Sequence, residues 1–258
     1  MSTMAVQVGA IAQRSIIRTL RLPANVIPPL LFPVALMAVN AAGLHASTRL
    51  GGFPGDSFLA FALAVPFIQG ALFATLNAGS ELARDIQTGF LNRLALTPLR
   101  SAALLAGTLA GMVVLGVVQA AFYLAVGLAA GVEIATGVAG VVVILAFAAV
   151  VSLGFGALGS FLALRTGSGE SVQAFFPVLF VFLFISSMNA PRHLIAVDWF
   201  RIAATANPVS YLLECVRSLI VIGWDGEALA LGFGVAAAIT VVFLALAVHA
   251  LARRMTRT

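Results

Sequence analysis

Fourteen cationic side chains are spread along this chain of 258 residues, and every one is arginine. The missing lysine excludes two chemistries at once. A phosphate-binding loop of the GxxxxGK[ST] kind needs a lysine to reach the phosphates. Schiff-base catalysis needs one as nucleophile. The histidines, His45, His193 and His249, are far apart and form no ligand-spaced cluster. Cys215 is the single cysteine, so an intrachain disulfide and a cysteine-rich metal site are both excluded. Ser186 or Ser187 with His193 comes nearest to a hydrolytic dyad. Neither a nucleophile elbow nor an acidic third member accompanies them. The expectation is no catalytic residue, no cofactor site and no metal site on this chain.

Two segments carry spaced polar groups of another kind. The first runs from Ser80 to Arg100. Leu82, Ile86, Phe90 and Leu94 recur every four residues and make one apolar helical stripe. Glu81, Arg84, Asp85, Thr88 and Arg93 occupy the other sides. Gly89 interrupts the helix midway and Pro98 stops it. Such a segment, 81–98, is either a knob offered to a soluble partner or a plain interfacial loop helix. The second segment reads Asn207-Pro-Val-Ser-Tyr-Leu-Leu-Glu-Cys-Val-Arg217. Asn207-Pro208 breaks the incoming helix, and a new amphipathic helix starts behind it. Glu214 and Arg217 stand at i, i+3, where they are expected to pair. Pairing would ease the cost of charges near lipid.

The elements that must position these segments are membrane helices. The chain is 62% hydrophobic and 9% charged, where a soluble domain carries roughly 25% charged residues. Its mean hydropathy is +1.11. A bilayer must be the solvent. Apolar stretches lie at 26–45, 58–80, 101–131, 137–164, 172–190 and 228–250; about 20 apolar residues span the hydrocarbon core. Pro28, Pro29 and Pro33 leave the lower part of the first stretch open. A seventh stretch, 202–222, contains Pro208, Glu214 and Arg217.

Charge asymmetry decides how to count them. Arg14, Arg18 and Arg21 stand near one end, and Arg253, Arg254 and Arg257 near the other. The positive-inside rule puts both ends in the cytoplasm, which requires an even number of crossings. The expected fold is therefore an all-α membrane protein with six transmembrane helices. The element at 191–222 becomes an extracellular re-entrant helical hairpin before the last span. Arg84, Arg93, Arg100 and Arg165 then fall inside, and Arg49, Arg192, Arg201 and Arg217 outside. Residues 1–22 form an interfacial helix, with Gln7, Arg14, Arg18 and Arg21 within about 60° of one another. That basic face suits an anionic membrane surface. Gly154, Gly156 and Gly159 suit close helix packing, and Gln69, Asn77, Gln119 and Gln173 suit interhelical hydrogen bonds.

Taken in order, the basic N-terminal helix, the six spans, Thr88–Arg100 (TGFLxRLxxTPLR) and Asn207–Arg217 (NPxSYxxExxR) resemble a known family. The chain resembles the membrane permeases of ABC-2 type exporters, near the daunorubicin/doxorubicin-resistance permeases. It departs at Ile86-Gln87, where relatives often carry further charges. The resemblance covers nearly the whole chain and implies one ABC-2 transmembrane domain over residues 1–258. It implies pairing with a second permease chain, as a homodimer or heterodimer, and docking of two ABC ATPase subunits. ATP and Mg would be held by those partners. Arg84, Asp85, Thr88, Gly89, Phe90, Leu91 and Arg93 would couple to the ATPase. Asn207, Pro208, Tyr211, Glu214 and Arg217 would belong to the exit gate. The setting implied is a bacterial plasma membrane, with lipid as a partner and nucleic acid as none.

The cargo expectation rests on aromatics. The chain has 19 Phe but only 2 Trp and 2 Tyr. Polysaccharide passages favour Trp and Tyr, which stack on sugars and also hydrogen-bond. A hydrophobic drug, lipid or glycolipid is the better fit. An ion-coupled secondary transporter is the main alternative, but it needs ionisable groups at the membrane midplane that the six stretches lack. A non-transport membrane scaffold is the other.

Overall fold

Three prolines fall inside the first long apolar helix, and the helix survives them. In the computed structural model, which describes residues 3–90 and 101–255, α2 runs unbroken from Pro23 to Gly43. A proline cannot donate to the carbonyl four residues earlier. Pro29 and Pro33 thus leave the carbonyls of Asn25 and Pro29 without their helical donors. Other helices supply the replacements. Asn77 Nδ2 donates to the Asn25 carbonyl at 3.1 Å, and the Tyr123 hydroxyl donates to the Pro29 carbonyl. Bare carbonyls are costly in hydrocarbon, so these two bonds are what allow the prolines there. The part of this stretch left open by the sequence is helical for that reason.

The remaining helices follow in order. α1 (Thr3–Arg21) precedes α2; α3 (Phe58–Ala62) and α4 (Ala64–Gln87) make one apolar run interrupted at Leu63. Pro66 withholds its N–H from the Ala62 carbonyl, which accounts for the interruption. α5 covers Ser101–Ala129, α6 Gly137–Thr166 and α7 Gly169–Phe184. α8 (Asp198–Ala206) and α9 (Pro208–Arg217) are short, and α9 continues as a wider turn over Ser218–Ile222. α10 (Gly226–Met255) is last, and no strand occurs among the described residues.

Five helical runs are long and apolar enough to cross a membrane: Asn25–Gly43, Phe58–Gln87, Leu104–Ala129, Gly137–Thr166 and Gly226–Arg254. The fifth expected stretch, 172–190, becomes the 16-residue α7, with Pro177 inside it. It stops early because Asn207 Nδ2 bonds the carbonyls of Phe182 and Ile185, at 2.6 and 2.9 Å. The start of α7 is equally well defined. Gly167 takes φ +72°, a left-handed conformation that ends α6, and Ser168 caps α7 by accepting from the Ser171 N–H.

Two helices organise the bundle. α4 is buried on nearly all sides, among α2, α5, α6, α7 and α9. α6 packs against α4, α5 and α10, and it meets each of them at a glycine. Gly154 meets Thr240 of α10, Gly156 meets Leu109 and Met112 of α5, and Gly159 meets the backbone of α4 at Thr75. Small residues bring membrane helices to van der Waals contact, the main cohesive force where lipid is as apolar as the side chains. The apolar core extends from Phe58 and Leu212 at one end to Leu82 and Leu251 at the other.

Candidate functional site

Two arginines of the basic face of α1 reach carboxylates of α4. Arg14 Nη2 lies 3.2 Å from Asp85 Oδ1, and Arg18 Nη1 lies 3.0 Å from the same oxygen and 3.6 Å from Glu81 Oε1. Two of the three arginines assigned to the membrane surface therefore hold carboxylates at the foot of α4. Below α1, Ser15 Oγ donates to the Thr108 carbonyl at 2.9 Å, fixing it to α5. Just beyond Asp85 the chain turns at Gly89, where φ is +69°. Phe90 follows, with its ring centroid 4.1 Å from the Arg14 guanidinium carbon. Arg14 thus grips both sides of the Gly89 turn.

This placement divides the expected coupling residues. Arg84 and Thr88 are exposed, whereas Asp85 is buried in the ion pairs. Phe90 is half-buried against Arg14. Leu91 and Arg93 lie outside the described residues. The segment expected over 81–98 does not begin at Glu81, because residues 81–87 are the end of α4 itself.

At the other end of the bundle, each polar residue of the 207–217 motif ties α9 to a different neighbour. Asn207 Oδ1 caps α9 by accepting from the Val209 N–H at 2.9 Å, while its Nδ2 holds the end of α7. Pro208 occupies the first helical position, where a missing N–H costs nothing. The Tyr211 hydroxyl donates to the Thr205 carbonyl at 2.9 Å. Glu214 forms a bidentate pair with Arg192, at 2.7 and 2.6 Å. The Arg192 guanidinium also sits 4.6 Å above the Tyr211 ring. Burial works against the Arg192 charge, but the bond to Glu214 outweighs it and raises its pKa.

The expected Glu214–Arg217 pair does not form. Arg217 turns inward and donates to three backbone carbonyls: Phe61 at 3.1 Å, Ser187 at 2.5 Å and Met188 at 2.6 Å. Its guanidinium carbon lies 3.6 Å from the centroid of the Phe61 ring. The i, i+3 geometry lost to partners 22 and 156 residues away in the chain. Sequence spacing contains no signal for Arg192 or Phe61, since both are joined to the motif only by the fold. Ser186 and His193 make no dyad: Ser186 Oγ donates to the Leu183 carbonyl, and His193 Nε2 lies 3.0 Å from the Gly52 carbonyl.

Comparison with known proteins bears on this architecture directly. Residues 6–221 match the family described as ABC-2 type transporter. The chain belongs to that family. Among relatives, it is 31% identical over 179 residues to the daunorubicin resistance ABC transporter permease protein DrrB1 of Streptomyces coeruleorubidus. That alignment spans 66% of this chain and 61% of the relative. The ABC-2 match encloses both candidate sites, the clamp around Asp85 and the latch around Arg217, and ends one residue before the wider turn does. As an ABC-2 family member with five helices long and apolar enough to cross a bilayer, this is a multi-pass membrane protein.

Between the latch and the neighbouring loops the ABC-2 fold leaves a cavity of about 500 Å³. Arg192, Arg201, Glu214 and Arg217 line it, with Phe61 and Ile222 supplying apolar wall.

Proposed function

We propose that this chain is the translocation subunit of an ATP-driven exporter that moves a hydrophobic drug, lipid or glycolipid out of the cytoplasm or inner leaflet. The observation that carries the reading is the ABC-2 match across residues 6–221, which includes both motifs. The turn at Gly89 and the clamp on Asp85 support a coupling role for the segment after α4. Two ATPase subunits holding ATP and Mg would dock there, and a second permease chain would complete the passage. ATP chemistry belongs on the partner because a lysine for the phosphates is missing here. A drug-resistance relative and a phenylalanine-rich chain both favour an apolar cargo.

The test is capture of the ATPase subunit by co-expression and pull-down at equal permease amounts. Truncating an interface hot spot typically costs about 2 kcal/mol or more. Phe90→Ala and Leu91→Ala should therefore each weaken capture by about thirtyfold, and the double variant by more. Unchanged capture together with unchanged ATP-dependent drug transport in vesicles would remove the coupling assignment. The isolated permease should bind no nucleotide.

The proposed topology has six crossings, with both termini cytoplasmic and the latch on the outer side. α7 would be the fifth crossing, α10 the sixth, and 191–222 the re-entrant element. Cys215 is buried, so the native chain should resist an impermeant thiol reagent. In a Cys215→Ala background, Asp56→Cys and Glu133→Cys, both at exposed positions, should label on intact cells. Arg165→Cys, also exposed, should label only after permeabilisation. The opposite pattern rejects this orientation.

A further inference from the structure

Arg217 is 4% exposed, yet among the described residues no carboxylate lies within ion-pair distance of it. Three of its five N–H donors are met by backbone carbonyls. Carbonyls satisfy hydrogen bonds but carry no net negative charge, and a buried charge without a contacting counter-charge is costly. The same guanidinium lines the cavity of about 500 Å³.

The other arginines around the cavity are already paired. Glu214 is neutralised by Arg192. Asp225 caps α10, accepting from the N–H groups of Glu227 and Ala228 at 3.0 and 3.1 Å. Arg201 is paired with Asp198 on the exposed face of α8. Among the charged lining residues three arginines stand against two carboxylates, Glu214 and Asp225, so one positive charge is in excess. Beside it stand the Phe61 ring and Ile222, which suit carbon rather than water.

We propose that this cavity binds the anionic phosphate headgroup of an amphiphile, with Arg217 supplying the counter-charge and the Phe61–Ile222 wall receiving its apolar part. The site belongs to this chain alone. It goes beyond the export reading and needs no ATPase, so its failure and that of the export reading are separable.

The chain contains two tryptophans, Trp199 and Trp224. They flank the lining residues Arg201 and Ile222, so intrinsic fluorescence reports on the cavity. Detergent-solubilised permease would be titrated with a short-chain phosphatidylglycerol and with the matching phosphatidylcholine. Phosphatidylglycerol should bind saturably and about tenfold more tightly, as a charge-assisted contact requires. Arg217→Gln should lose that preference and Arg217→Lys should keep most of it. Competition by inorganic phosphate would assign recognition to the anion itself. No competition would assign it to the lipid as a whole; both uphold the site. If Arg217→Gln does not fold, Arg201→Glu at the rim should weaken phosphatidylglycerol binding by about tenfold. Equal affinity for the two lipids, or unchanged binding by whichever of these charge variants folds, overturns the proposal.

Discussion

Gly159→Ala is expected to prevent the bundle from closing. A Cβ at this position would fall on the Thr75 carbonyl of α4, with the Thr75 carbonyl carbon 2.8 Å away. Backbone cannot swing aside as a side chain can, so α4 and α6 must separate. Forcing a methyl into a packed core costs up to about 3 kcal/mol, and more where the obstacle is rigid. Here the helices pushed apart are the two that organise the core. Thr75 would also lose its bond to the Phe155 carbonyl, now 2.9 Å. Thermal unfolding followed by size-exclusion chromatography should show a loss of monodisperse protein. Gly234→Ala is the control, because a Cβ there meets nothing within 4 Å. Equal stability of the two variants would show that α4 and α6 do not meet as described.

The second large effect concerns the clamp. Asp85→Ala should destabilise the chain by about 1 kcal/mol, because the lost carboxylate is buried while Arg14 is 41% exposed and water takes up part of its charge. Arg14 would lose its carboxylate, and Arg18 would keep only Glu81 at 3.6 Å. Phe90 would then be held against an arginine that is itself loose. Loss of coupling between hydrolysis and transport should accompany the loss of stability. Removing Arg14 and Arg18 as well, as glutamines, should make the Asp85 change much cheaper, since no stranded charge remains. A cycle over these variants separates the interaction from the single losses. Strict additivity would mean that the ion pairs contribute nothing.

Five of the six expected spans were legible because apolar length is a local property. The break at Asn207-Pro208 and the turn at Gly89 were legible too, since each depends on one or two adjacent residues. What remained hidden was partnership. Glu214 stands three residues before Arg217 and pairs instead with Arg192. Arg14 and Arg18 read as a lipid-facing stripe, yet their carboxylates come from a helix some 67 to 71 positions along. Three prolines argued against a helix that Asn77 and Tyr123 restore. In each case a local rule was overridden by a group brought near only by the fold.

Those two restored carbonyls bear on how the protein is made. Asn77 follows Asn25 by 52 residues, and Tyr123 follows Pro29 by 94. Synthesis runs from the N-terminus, so α2 enters the bilayer before either donor exists. A newly inserted α2 is therefore an unfinished helix, with carbonyls that lipid cannot satisfy. It must wait near water, or against the insertion machinery, until α4 and then α5 arrive. The chain's first span in sequence is completed in the membrane only once its third has arrived.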